Sequence, residues 1–268
     1  MKKIILGILV SVVLLGVAGS VGASMLIPSA DKAKERGEAP LSSPVIEETA
    51  AGEWDLKAPG LEKIEFIHWK KDFAKPEAAK APKPPTCYKF LTPTKVKWTV
   101  LPVNYEINPT NPQELSEEFV TTAVFNSAET WDGATSKELM NNFYTVDYTA
   151  AYGVQNYENA VVFGNYPTVG VIAVTTVWYN PATKSIVEFD VMFDTDWVWG
   201  DAANPETSNV MDLQNIATHE IGHGAGLGDV YDSVCSAVTM YGYSDYGETQ
   251  KRTLESPDIT GIRTLYGQ

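Results

Sequence analysis

Basic residues are scarce where the chain is richest in structure. Residues 88–268 hold 8 Lys and Arg against 23 Asp and Glu, a net of −15, while residues 1–87 net +1 and the whole chain −14. Such an acidic region argues against nucleic acid or an anionic membrane as its partner. Cysteines number two, Cys87 and Cys235, so at most one disulfide can form within the chain. Histidines number three in 268 residues. Internal repeats, EF-hand spacing and a regular strand–helix–strand alternation are missing. One long apolar run occurs, at the N-terminus.

That run has the order of an export signal. Lys2 and Lys3 precede an apolar stretch from Ile4 to Val17, and Val21-Gly22-Ala23 supplies small residues for cleavage. The alternative is a retained anchor, since no charge occurs from Ile4 to Pro28. On either reading the remainder lies outside the cytoplasm, secreted or membrane-anchored. Three parts follow: 1–23 as signal peptide or anchor, 24–87 as pro-segment or linker, and 88–268 as the folded domain. Residues 24–86 are rich in Ala, Pro, Lys and Glu, and Ala78 to Pro85 reads as an extended linker. Within them, only Leu61 to Phe73 has the apolar periodicity of a short helix or strand.

Beyond Cys87 the pattern is that of an α+β domain. Lys97–Asn108 alternates as a strand, Asn111-Pro112 opens a helix running to about Asp132, and strands are expected at 143–149, 160–163, 170–179 and 185–193. Asn180-Pro181 marks a turn. Helices are expected over 210–224 and 257–266.

The chemistry is concentrated in residues 219–229, His-Glu-Ile-Gly-His-Gly-Ala-Gly-Leu-Gly-Asp. Two histidines four apart share one helix face, so His219 and His223 can both reach one Zn²⁺. Glu220 is offset by one position, which suits a general base beside the metal. A catalytic zinc takes three protein ligands and keeps one open position. The glycines that follow permit a sharp reversal, with Gly226 the expected turning point, and Asp229 then returns as third ligand.

These residues resemble the metzincin metallopeptidases, whose motif is His-Glu-x-x-His-x-x-Gly-x-x-His/Asp, and within them the matrixins. His219, Glu220, His223 and Gly226 match that motif; Asp229 stands where matrixins proper have histidine, as in snapalysin-type members. The likeness extends over 95–268 through Lys97-Trp98, Glu129-Thr130-Trp131, Ser236–Tyr241, Asp258–Ile262 and Leu265–Gly267. It implies a metzincin-like catalytic domain, a twisted mixed sheet with an active-site helix and a C-terminal helix. It also implies a zinc-dependent endopeptidase acting on protein or peptide substrates. A membrane partner enters only if the N-terminal segment is retained as an anchor.

By the same resemblance, Met240 forms the apolar floor of a Met-turn, Tyr243 is a candidate oxyanion stabiliser, and substrate pairs with the strand near Val171 to Thr175. The alternative for that strand is an ordinary interior one. Calcium is a second ion that the resemblance implies, with acidic residues at Glu188, Asp190, Asp194, Asp196 and Asp201; solvated acids on a strand face explain them equally well. For Cys87 and Cys235, the even count in an exported chain favours a disulfide. The alternative is that Cys87, after Pro84-Pro85-Thr86, acts as a latency thiol of the kind matrixin pro-segments carry.

Overall fold

A computed structural model describes residues 60–73 and 86–268. It also gives the backbone of two short strands, Glu47–Glu48 and Trp54–Asp55, which pair antiparallel. All belong to the unit Val45–Gln268. The expected signal or anchor over 1–23, and most of the expected pro-segment, lie outside the described residues. Among the described residues, no helix is long and apolar enough to cross a membrane.

Seven strands form one mixed sheet: β1 (Glu62–Lys70), β2 (Glu106–Ile107), β3 (Thr145–Val146), β4 (Ala160–Gly164), β5 (Val171–Asn180), β6 (Ser185–Asp194) and β7 (Tyr243–Ser244). Their order is β7-β1-β5-β6-β4-β2-β3. The run β6, β4, β2, β3 is parallel throughout, whereas β5 is antiparallel to both neighbours, β6 and β1. The α+β expectation holds. β5 is buried from Val171 to Tyr179, as a strand covered on both faces must be, and its Val- and Thr-rich sequence suits that setting.

Helix α1 (Glu117–Asp132) and helix α2 (Leu213–Gly224) pack together, and α2 lies on β5 and β6. Helix α3 (Ser256–Tyr266) closes the domain, and Tyr266 Oη donates to the Ala225 carbonyl at 2.9 Å. Trp131, fully buried, donates from Nε1 to the Thr218 carbonyl at 2.7 Å and so ties α1 to α2.

Several boundaries differ from the sequence reading. The expected strand over 97–108 reduces to Glu106–Ile107 with isolated bridges at Lys97 and Val103; Pro102 has no N–H to give a ladder. α1 begins after Ser116, whose hydroxyl caps it by accepting from Phe119 N. Asn111 instead closes a turn, its Oδ1 accepting from Gln113 N and Leu115 N. α2 begins after Asp212 because Met211–Asp212 pairs with Trp199–Gly200. The segment 61–73 becomes β1, a strand of the main sheet.

Candidate metal centre and peptide cleft

Helix α2 positions the site through its two ends. Asp212 caps it, accepting from Asn215 N at 2.8 Å, and Arg252 braces the same carboxylate. At the other end the chain reverses at Gly226, where φ is +112°. A Cβ there would lie 2.8 Å from Leu265 Cδ1 and 3.2 Å from the Val96 carbonyl oxygen. Only glycine adopts this conformation without strain. Gly222 is needed for a different reason: a Cβ would meet Met240 Sδ at 2.4 Å and Trp131 Cζ2 at 2.6 Å. Its absence lets the helix settle onto the methionine.

The reversal brings His219, His223 and Asp229 together. The two Nε2 atoms are 3.1 Å apart, and Asp229 Oδ1 lies 3.1 Å from one and 3.5 Å from the other. His219 Nδ1 faces the Thr239 carbonyl at 2.7 Å, and His223 Nδ1 faces the Leu227 carbonyl at 2.9 Å. A carbonyl only accepts, so each Nδ1 carries a proton and each neutral ring turns an Nε2 lone pair inward. Asp229 Oδ1 is buried without a hydrogen-bond partner. Three electron-rich atoms therefore converge with no proton between them, an arrangement that is repulsive without a cation at its centre. Two imidazoles with carbonyl-anchored Nδ1 atoms, plus a carboxylate, are a donor set that fits zinc. Tyr231 Oη donates to the other Asp229 oxygen, Oδ2, at 2.9 Å and fixes its orientation.

The titration directions describe the same three groups with protons in a metal's place. Burial opposes the Asp229 carboxylate, but the two histidines outweigh it and hold its pKa below the usual range. Burial likewise opposes charge on His223, yet Asp229 raises its pKa. His219 is pushed down to about 4, chiefly by burial and then by Lys251.

Glu220 is fully buried beside this cluster. Its Oε2 accepts from Thr175 Oγ1 at 2.6 Å, and its Oε1 lies 3.0 Å from His68 Nδ1. Burial pushes its carboxyl up to about 7, with His223 and the Thr175 hydroxyl pulling the other way. Met240, with no exposure, lies under the α2 helix. Its turn is held by Asp258 of α3, which accepts from Thr239 N at 2.9 Å and Met240 N at 3.2 Å. Tyr243 lies in β7, its ring edge-on to those of Tyr231 and Tyr241.

β1 crosses this centre. It pairs antiparallel with β5, with Phe66 opposite Thr175 and His68 opposite Ala173, and parallel with β7, with Trp69 opposite Tyr243. Phe66 stacks on the His223 ring at 4.1 Å, and His68 lies 4.0 Å from the His219 ring. His68 Nε2 is 3.0 Å from both Ser244 Oγ and Lys251 Nζ. Burial lowers the His68 pKa well below its ordinary value, and His219 and Lys251 add to the effect. The strand near Val171 to Thr175 is thus interior, and the neighbour that makes it so comes from the region upstream of Cys87.

Cys87 and Cys235 form a disulfide, with Cα atoms 5.3 Å apart, so neither is a free thiol. Glu188 accepts from Gln155 Nε2 and from the amides of Asn156 and Tyr157, and Asp190 accepts from those of Gly153 and Ala160. Asp194 accepts from the Asp196 amide, Asp196 from Asn165 Nδ2, and Asp201 pairs with Arg252. These acids tie down loops and do not gather as one ligand set. Among the described residues, the groups with ligand atoms within 4.8 Å of one another are His219–His223–Asp229 and His68–His219–Glu220.

Sequence reasoning missed His68, Ser244, Lys251, Thr175 and Tyr231 as parts of the site. One signal was available for His68: it is the one histidine of the chain outside the 219–229 motif and sits in the one periodic stretch of the upstream region. Lys251 gave none, since buried lysines cannot be told from exposed ones by local pattern.

Known proteins resemble this chain in sequence. The matrixin family model, peptidase M10, matches residues 97–267. Metalloendoproteinase 1 of Glycine max is 42% identical over 78 residues, 28% of this chain and 24% of that protein. Matrilysin of Homo sapiens is 28% identical over 178 residues, 66% of this chain and 61% of that protein. Neutrophil collagenase of Homo sapiens is 28% identical over 179 residues, 66% of this chain and 35% of that protein. The chain thus spans less than two thirds of the length of these relatives.

Proposed function

The chain belongs to the matrixin family, and from that premise we propose that it is an exported zinc endopeptidase held latent by its own strand β1. The observation that carries the reading is the convergence of His219 Nε2, His223 Nε2 and Asp229 Oδ1 around a point that needs a cation. Those three residues would hold the zinc, with Asp229 in the place of the third histidine usual in the family. When bound, zinc acidifies a water and polarises a peptide carbonyl.

The protein's own groups do the rest. Glu220 Oε1 accepts the proton of the attacking water and delivers it to the leaving amine. Its elevated pKa, about 7, suits a group that must take a proton and release it within one turnover. Thr175 holds Oε2 and so aims Oε1. The backbones of β5 and β7 align an extended peptide by strand pairing, as many peptide-binding sites do. Met240 supports the histidines from below, and Tyr243 would stabilise the oxyanion from β7.

β1 fills the slot that a peptide would fill, and His68 covers the oxygen of Glu220 that the reaction needs. The disulfide uses Cys87, so latency here would rest on His68 and strand pairing in place of a thiol. Cleavage within 74–85 and departure of β1 would open the site. Lys2 to Ala23 would direct export, so the peptidase would act on proteins outside the cytoplasm. Calcium, if the enzyme uses it, would add to stability.

The test is metal content. Wild-type protein is expected to hold one zinc per chain by elemental analysis, and Asp229→Ala to fall well below that. Unchanged stoichiometry in Asp229→Ala removes Asp229 from the ligand set.

A further inference from the structure

Lys251 is a buried lysine that the reaction does not use; burial pushes its pKa down to about 7, with Asp229 pulling the other way, so the ammonium is the form present below neutral pH. It has no exposure, and its placement is fixed: its backbone N donates to Asn215 Oδ1 of α2 at 2.7 Å. Next to it Arg252 is anchored to Asp201 and Asp212. Lys251 Nζ donates to the carbonyls of Tyr241 and Tyr243, which shape the chain leading into β7. An ammonium has three donors and cannot accept. Two are thereby used within the wall of the cleft. The third meets His68 Nε2 at 3.0 Å, at the tip of the side chain that the occupying strand inserts. Ser244 Oγ reaches the same nitrogen at 3.0 Å.

We propose that Lys251 and Ser244 determine the specificity of the cleft, selecting peptides whose side chain in register with Ala173 ends in a neutral hydrogen-bond acceptor, an imidazole or a carboxamide. The inference rests on reading the cleft as a peptidase site and names the substrate class for it. Each competing side chain fails for a stated reason. An aliphatic one leaves the third Lys251 donor buried without an acceptor, the arrangement that sites built around a polar partner reject most strongly. A carboxylate meets Lys251 but is also brought against Glu220 Oε1, which stands 3.0 Å from the present occupant, so that two carboxylates compete for one ammonium. A lysine or arginine is brought against the Lys251 ammonium. Histidine meets every condition: Nδ1–H donates to Glu220 and Nε2 accepts from Lys251.

The full chain supplies its own reporter, because β1 is a tethered peptide in this cleft. Amide hydrogen exchange over 64–70 measures how firmly it is held, with the β6 amides as the control for global stability. His68→Gln is expected to keep protection within about threefold of wild type. His68→Leu is expected to lose about tenfold or more, the change that a lost hydrogen bond to a charged group brings. In a Lys251→Met background the penalty for leucine should shrink to what the lost contacts with Glu220 and Ser244 leave. Equal protection of the His68→Leu and wild-type strands, or a leucine penalty unchanged by Lys251→Met, overturns the proposal. Should Lys251→Met lose protection in β6 as well, Ser244→Ala replaces it, with the leucine penalty expected to shrink and an unchanged one counting against the proposal. A peptide library cleaved by the chain cut within 74–85 separates the two ideas. Cleavage favouring leucine at this register refutes the specificity, while an intact library alongside the expected exchange pattern refutes the peptidase reading alone.

Discussion

Replacing Gly226 by alanine tests whether the reversal after α2 is what delivers Asp229 to the histidines. At φ +112° an L-residue is strained by about 1–3 kcal/mol. Its Cβ would also stand 2.8 Å from Leu265 Cδ1, and shifting that buried leucine costs about another 1–3 kcal/mol. Against this, alanine restricts the unfolded chain, which returns about 0.4–1 kcal/mol. The net expectation is a loss of about 3 kcal/mol, within a range of roughly 1–5.5, or a fall in Tm of about 10 °C for a unit of this size. Gly133→Ala is the control. Gly133 caps α1 with φ −59°, and its Cβ would make ordinary contact at 3.4 Å with the Glu129 carbonyl. It should leave Tm within about 3 °C. Calorimetry gives the stability, and competition with a chromophoric chelator gives the zinc affinity, which should weaken in Gly226→Ala alone. Wild-type Tm and zinc affinity in Gly226→Ala would show that the turn at this position does not deliver Asp229.

Other perturbations probe separate links. Tyr231→Phe removes the hydroxyl that orients Asp229 and should weaken zinc binding about 10–100-fold in the same competition assay. Loss of the disulfide in Cys87→Ser/Cys235→Ser, a bond across 148 residues, should destabilise by up to about 5 kcal/mol in a denaturant titration. Asp190 titrates near 7 in the fold against 3.8 ordinarily, because of burial and then its neighbour Glu188. A raised pKa means that its contribution is complete below about 3.8 and is lost as pH rises through 7. Stability should therefore fall by about 1.4 kcal/mol from this group between pH 6 and 8. Asp190→Asn should flatten that part of the profile, and an unchanged slope would show that Asp190 is ionised throughout.

Much of the site was legible because its spacing is local. His219 and His223 share a helix face by periodicity alone, and Gly226 declares a reversal by its conformational freedom, which its φ of +112° bears out. The buried strands β5 and β6 were legible as apolar runs, and the Cys87–Cys235 pairing followed from an even count. What could not be read depends on contacts between distant parts of the chain. His68 lies 152 residues from Glu220 and 183 from Lys251. Its strand looked like part of a linker because Pro- and Lys-rich sequence surrounds it. The start of α1 was placed too early because Asn111-Pro112 is a good opening, and only the Asx turn at Asn111 moves the cap to Ser116.

Under the proposed function, a zinc site with Glu220 as its base cleaves peptide bonds. The direct test compares wild type and Glu220→Gln, each cut within 74–85 and loaded with zinc, on a quenched peptide library. Expected are one zinc per chain in both, cleavage by wild type that a chelator stops, and loss of nearly all turnover in Glu220→Gln. Turnover by Glu220→Gln at the wild-type rate, or wild-type cleavage that survives complete removal of the metal, would contradict it.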